Sequence, residues 1–388
     1  MIRVYPAESR YVADRGWLMS SASFSFGEYF DPANTAFSVM RVMNDDIVQG
    51  GKGFGPHPHS DMEIVSVVLE GAIKHQDSLG NTVVTKAGGI QRMTAGSGVV
   101  HAEYNASDTE PMRILQLWFM TDERGHEPSF ETCAYPEEKL SHGLLPVVTP
   151  VGGVGQVSIH QDLTLYLSRL RPESELIHHH QPDRSAYLFI IEGELAVNGK
   201  ELKEGDAARI TEIPELSIVS RTDSFFMLID LPRGFEMQDH ISSRASSTGT
   251  TNPTDAPSRA SSAGSTNPTS SISPVGQSST AASEKLLIKH AVGGRTFLDS
   301  SKNPSIRYKV EPEGEGWLFL VEGAPSEAIE QIVEWREELN VFIFRDDLDR
   351  PTEKCWYYVQ NGPVHDDQPS GQLTIHAKSR IEYIPDEF

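Results

Sequence analysis

Only two cysteines, Cys133 and Cys355, occur among the 388 residues, and they lie in different parts of the chain. They form no C-x-x-C or other metal-binding or redox spacing, and two distant thiols do not make a disulfide framework; free thiols of a reducing compartment are expected. Positive charge is also scarce. Lys and Arg number 33 against 55 Asp and Glu, a formal net charge of −22. The deficit is shared, with 33 acids against 19 bases in residues 1–237 and 20 against 12 in residues 284–388. Phosphate recognition needs clustered cations, so direct contact with nucleic acid or with an anionic membrane is not expected. No apolar run approaches the ~20 residues of a membrane span. The opening MIRVYPAESRYVADRGW has neither the basic start nor the apolar stretch of a signal peptide. A cytoplasmic protein is the expectation.

What is present is a chain too long for one average domain, with enough apolar material (38%) for more than one core. Helical periodicity is nearly absent from its first 230 residues. Short apolar runs alternate instead with Gly, Pro, Asn and Asp turns: MEIVSVVLEG, NTVVTKAGG, RILQLWFM, LTLYLSRL and AYLFIIEGELAVNGKEL. Asn198-Gly199, set between alternating apolar residues, predicts a hairpin with a type I′ turn. A His cluster followed by an apolar strand ending in Glu-Gly occurs twice, at Glu70-Gly71 and Glu192-Gly193. Two similar β-barrels are expected, over 1–130 and 131–237. Between Ser242 and Ser283, 21 of 42 residues are Ser or Thr, and SRASSTGTTNPT at 243–254 returns as SRASSAGSTNPT at 258–269. Such a segment buries too little to offset its conformational entropy, so residues 238–283 read as a disordered linker. Its ends as a flexible coil lie roughly 35–40 Å apart, so the flanking domains need not touch. Residues 284–388 read as a small α+β domain. Six strands fall at 305–311, 317–321, 341–344, 356–359, 373–376 and 381–384, and one amphipathic helix at 326–339, with Ser326 as N-cap.

The chemistry concentrates in two stretches, GGKGFGPHPHSDMEIVSVVLEG at 50–71 and TAGSGVVHAEYN at 94–105. His57 and His59 are two apart and share a strand face; His101 and Glu103 repeat the arrangement. Two such pairs facing each other across a barrel place three imidazoles and a carboxylate around one point. That set suits a borderline divalent ion and leaves positions open for substrate or oxygen. Pro58, which cannot donate a ladder bond, fits an edge strand. Glu63, four residues after His59, shares the ligand face if the strand stays regular, which leaves two candidates for the carboxylate.

The runs GFGPHPH, VLEG, DSLGN and MTAGSGVVHAEYN resemble the pirin family of bicupins, and they fit the wider cupin pattern G-x5-H-x-H-x3-E with H-x3-N at His101–Asn105. The resemblance covers about residues 1–232. It implies two tandem cupin (double-stranded β-helix, or jelly-roll) barrels, mostly β overall. It puts the ligands on His57, His59, His101 and Glu103, leaving Glu63 as a hydrogen-bond partner that orients a ligand imidazole. Fe(II) is the ion it implies, although the donors also accept Mn, Ni, Cu, Co or Zn. The second barrel departs from the pattern: His178-His179-His180 offers a His-x-His, but residues 181–232 contain no histidine, so no complete site is expected there.

Bacterial members resemble quercetin 2,3-dioxygenases, while mammalian pirin is an iron-binding nuclear co-regulator. The resemblance therefore implies a metal-dependent dioxygenase that opens a flavonol-like aromatic with O2, Glu103 serving also as catalytic base for the substrate hydroxyl. The alternative is a metal-bearing sensor or binding module without turnover, which contacts a protein partner through residues 284–388. In that region His365-Asp366-Asp367 reads as a solvated acidic loop, and Trp317, Trp335 and Trp356 as the core of a small domain.

Overall fold

The computed structural model describes residues 1–181, 183–233, 283–292, 294–347, 350–359, 364–367 and 371–387. The Ser/Thr-rich stretch lies outside them, except for Ser283, which opens a strand.

The chain is mostly β, and its first 233 residues form two tandem cupin barrels. In the first, a large sheet runs from Ser129–Ala134 through Gly89–Thr94, Met62–Glu70, Met112–Met120, Met40–Val48 and Leu18–Ala22 to Tyr11–Asp14. A small sheet opposes it, in the order Gly53–His59, Val99–Asn105, Ala72–Asp77 and Thr82–Lys86. The second barrel repeats the plan with a large sheet around Arg184–Glu192 and Ser224–Pro232 and a small one of Glu175–His179, Glu215–Ser220, Glu194–Val197 and Lys200–Lys203. Asn198 and Gly199 both adopt positive φ, 46° and 77°, as a type I′ turn requires.

The barrels exchange edges. Ile2–Tyr5 pairs with Ala207–Thr211 of the second barrel, and Ser129–Ala134 with Gly89–Thr94 of the first. The expected boundary at 130/131 is therefore corrected, because it cuts through a strand that completes the first barrel. The two large sheets pack face to face. Along Met62–Glu70, Val65 and Val67 join Leu165, Tyr187, Phe189, Met227 and Ile229 in a core common to both barrels. Ile64 and Val68 instead face the interior of the first barrel. Burial on both faces explains why these strands read as nearly continuous apolar runs; truncating one such residue, Phe119→Ala, costs about 3–5 kcal/mol.

Residues 283–387 form a β-rich domain in which Thr296–Asp299, Ser283–His290, Leu339–Asp347, Arg350–Tyr358 and Ser379–Tyr383 make one sheet. Arg307–Glu313, Gly316–Glu322, Gln372–Ala377 and Val364–Asp367 make the other. The helix is shorter than expected, Ser326–Glu334, and Pro325 stands at its N-cap without a side-chain cap bond. Proline before the first turn suits the missing N–H, while Leu339 is drawn into a strand. His365–Asp367, expected as a loop, belongs to a strand paired with Gln372–Ala377.

This domain rests on the first barrel, a contact that the long tether permits but does not require. On its larger sheet Leu286, Ile288, Val341, Ile343, Cys355 and Tyr357 face the domain's own core. The alternate residues Leu287, Phe342, Trp356, Tyr358, Ile381 and Tyr383 pack on Val100 of the first barrel. Trp356 is thus fully buried, but in the interface and not in its own domain's core. It lies so close to Gly98 that a Cβ there would meet its ring at 3.0 Å. The docking is also polar. Arg41 Nη2 donates to Glu338 Oε2 at 2.8 Å, both nearly buried, and the Tyr358 hydroxyl donates to Asp61. Burial alone raises the Glu338 carboxyl; Arg41 and His290 more than reverse this and hold it at about 2.

Candidate metal centre

Gly53–His59 is an edge strand, which is what lets Pro58 sit between two histidines. Its pairing with Val99–Asn105 sets His57 opposite His101 and Phe54 opposite Glu103, with a bulge between. Bulges re-aim side chains beside functional sites. Here the result is that His57, His59 and His101 bring one ring nitrogen each within 4.8 Å of the others. His57 Nε2 and His101 Nε2 are 3.1 Å apart, close to the roughly 3.0–3.4 Å that two nitrogens span on one ion with bonds of about 2.0–2.1 Å. His57 Nδ1 donates to Gly55 O at 2.7 Å, which leaves Nε2 as the free acceptor. His59 Nε2 is buried without a hydrogen-bond partner. Burial lowers all three imidazoles below their ordinary value, most strongly His59 and His101, so they stand neutral, as a ligand must.

Glu103 is placed beside this cluster in a different group, with His101 and His75. Its Oε1 accepts from Gln91 Nε2 at 2.7 Å and its Oε2 from Gln116 Nε2 at 3.0 Å. Burial pushes its carboxyl up to about 7; the two amides oppose this, and the nearby Asp46 carboxylate adds to it. Asp46, also buried and lining the same cavity, is likewise raised to about 7 by desolvation.

Glu63 is the departure. Ser60 and Asp61 form a turn, with Asp61 at φ 48°, between Gly53–His59 and Met62–Glu70. Strand parity restarts at Met62, so Glu63 faces away from the histidines. It lies between the barrels, with Oε1 3.3 Å from His160 Nδ1 and Oε2 3.9 Å from Arg92 Nε. It therefore orients no ligand imidazole. The residue in that neighbourhood is His75, which sequence reasoning passed over. It pairs directly across from Glu103, donates from Nε2 to Asp77 Oδ2 at 2.9 Å, and stacks on Phe130 at 3.9 Å. Its signal was present, since His75 and Asp77 alternate on one face of AIKHQD. Gln91, Gln116 and Asp46 carried no motif.

The cluster opens into a cavity of about 590 Å³. Trp17, Phe26, Phe54 and Trp118 line it from the first barrel, and Lys289, Asn340 and Phe342 from the C-terminal domain. The Trp118 ring stands edge-on to His59 at 4.7 Å.

In the second barrel His178, His180 and Asp230 also fall within 4.8 Å. Asp230 Oδ1, however, accepts from Arg184 Nε at 2.8 Å. The strand facing the histidines offers Leu216 opposite His178, where the first barrel has His101 opposite His57.

Two packed barrels, one of which holds the three-imidazole pocket found among the described residues, define a bicupin with a candidate metal centre in its first barrel. Its donors, with a carboxylate close by, support one divalent metal. The chain belongs to the pirin family. The family model described as Pirin matches residues 6–119, and that of the quercetinase C-terminal cupin domain matches residues 146–231. Quercetin 2,3-dioxygenase of Escherichia coli K12 is 38% identical over 232 residues, 60% of this chain and 99% of the relative. The crystal structure of the bacterial pirin YhhW from Escherichia coli in complex with nickel(II) superposes with a TM-score of 0.58 at 38% identity, covering 60% of this chain and all of that one. A quercetin 2,3-dioxygenase structure from Acinetobacter baumannii, at 21% identity and a TM-score of 0.50 over 63% of this chain and 87% of that one, shares the fold.

Proposed function

We propose that the chain is a metal-dependent dioxygenase of the quercetinase type, which oxidatively opens a flavonol-like substrate with O2. The observation that carries this reading is the cavity. Three neutral imidazoles converge in a space of about 590 Å³ walled by aromatic rings, within the roughly 300–1,000 Å³ typical of small-ligand sites. The similarity to Escherichia coli quercetin 2,3-dioxygenase supports the substrate class.

His57, His59 and His101 would hold the ion, with Glu103 as the adjacent carboxylate. Fe(II) is the proposed metal on family resemblance, and nickel, bound by the Escherichia coli pirin, fits the same donors. When bound, the ion supplies Lewis-acid and redox chemistry at the imidazole end of the cavity. Phe54, Trp17 and Trp118 orient a planar ring system and exclude water. Glu103 accepts the proton of a substrate hydroxyl; poised near 7, it takes that proton at neutral pH and keeps it on a carboxyl fixed by Gln91 and Gln116. The test is anaerobic metal loading followed by oxygen uptake with quercetin, for the wild type and Glu103→Ala. Loss of uptake in the variant at equal metal content is expected; equal turnover would remove Glu103 from the chemistry.

The rival reading, a metal-bearing module that recruits a protein through its C-terminal domain, loses support from one feature. The apolar outer face of the domain's larger sheet, one surface for such recruitment, already packs on the first barrel.

A further inference from the structure

Within a chain of net charge −22, the C-terminal domain places lysines on the face it turns to the first barrel, and one of them lines the metal pocket. Lys285 and Lys354 flank Phe344 on the sheet face that meets the first barrel, and Lys289 lies on the same face four residues beyond Lys285. The lysine ion pairs of the described residues belong to Lys203, Lys302 and Lys309, so none of the three is neutralised by one. Lys285 and Lys354 stack over Phe344 at 4.8 and 5.3 Å, and this packing accounts for both. Lys289 has no such ring. It is half-buried, it lines the cavity, and its register partner Asn340 lines the cavity with it. Burial lowers the Lys289 ammonium from its ordinary value, since no charge offsets its desolvation. A half-buried cation facing a cavity without a counter-ion costs stability unless something else benefits.

We propose that Lys289, on the wall that the C-terminal domain adds to the metal pocket, is a specificity residue that selects aromatic ligands bearing an anionic oxygen, a carboxylate or an ionised phenol. The inference rests on the reading of this cavity as the substrate site. It assigns the C-terminal domain a part in ligand recognition: the domain closes one side of the pocket with Phe342, Asn340 and Lys289, held there by the Arg41–Glu338 pair and the Trp356 contact. An enzyme made of the two barrels alone would leave that side open to solvent.

The experiment uses the full chain loaded with Zn(II), which is redox-inert, so that binding is read without turnover. Quenching of tryptophan fluorescence is titrated with caffeate and with methyl caffeate, ligands of one shape that differ in a single negative charge. Wild type is expected to prefer caffeate by about tenfold, the size of one charge-assisted contact. Lys289→Met should abolish the preference while leaving methyl ester affinity unchanged, Lys289→Arg should retain it, and Lys285→Met, outside the cavity, should not alter it. A wild type without preference, or a preference that survives Lys289→Met, overturns the proposal. Failure of oxygen uptake with quercetin, with the caffeate preference intact, would remove the dioxygenase reading and leave this one standing.

Discussion

The two barrels share a plan, and each carries a His-x-His on or at the end of the edge strand of its small sheet, yet among the described residues the first alone gathers three imidazoles around one point. In the first, the neighbouring strand answers His57 with His101. In the second, it answers His178 with Leu216, a fully buried core residue. The third potential donor, Asp230, is engaged by Arg184. A metal site in this fold is thus a property of two strands, and a motif on one of them is not enough. The barrels also differ in what covers them: the C-terminal domain packs on the first and helps to enclose its cavity.

The largest expected effect tests that contrast directly. The protein should bind one divalent ion per chain by elemental analysis. His101→Ala should reduce this to near zero, because it breaks the pairing across the two strands, and His180→Ala should leave it unchanged. Retention of a full equivalent by His101→Ala would move the site to the second barrel. The next effect concerns the cover. Arg41→Ala leaves the buried Glu338 carboxylate with His290 as its close partner between the first barrel and the C-terminal domain, at an expected cost of about 3 kcal/mol. Denaturant unfolding should show the loss, together with earlier proteolysis of the C-terminal domain. Because Glu338 is held down at about 2, its contribution is present above pH ~4.5 and is lost as the pH falls toward 2.

The motif-bearing half of the site was legible because strand alternation is strict over two residues: His57 with His59, and His101 with Glu103, each had to share a face. What alternation does not carry is parity across a turn. Ser60-Asp61 carries the chain from the small sheet to the large one, and Glu63 ends on the far face although four residues separate it from His59. His75 was recoverable from the alternation of AIKHQD, but it matches no cupin signature. Gln91, Gln116 and Asp46 were not recoverable, since their role comes from packing against Glu103. The docking of the C-terminal domain was hidden for a different reason. Trp356 reads as part of the domain's own core, and a long polar tether sets no distance between the units it joins. The outer-face residues Leu287, Phe342, Tyr358 and Tyr383 were visible as apolar, but a sequence does not say which surface they cover.

A pH experiment separates the barrels at intermediate effect. Burial lowers the imidazoles of the first site, His59 and His101 well below their ordinary value, so they contribute little to any change near neutrality. Glu103, raised to about 7, is protonated below that pH and must lose its proton to join the ion. Metal uptake should therefore strengthen as the pH rises through about 7, and Glu103→Gln should flatten the profile while retaining weak binding by the three histidines. In the metal-free protein the sign reverses for stability. The raised carboxyl binds its proton more tightly folded than unfolded, so stability declines as the pH rises from about 4.5 to 7.

The smallest effect is expected at Glu63, and it decides between the two glutamates. Its carboxylate contacts His160 and Arg92 in the seam between the barrels. Arg92 does not depend on it, because it also pairs with Glu131 at 2.8 Å and donates to Thr94, Ser129 and Ser158. Glu63→Gln keeps the volume and one hydrogen-bond acceptor, so the loss should be about 1 kcal/mol, with metal content and its pH profile unaltered. Calorimetry beside elemental analysis checks both. A fall in bound metal with Glu63→Gln would mean that the seam between the barrels, and not only the pocket, holds the ligands in place.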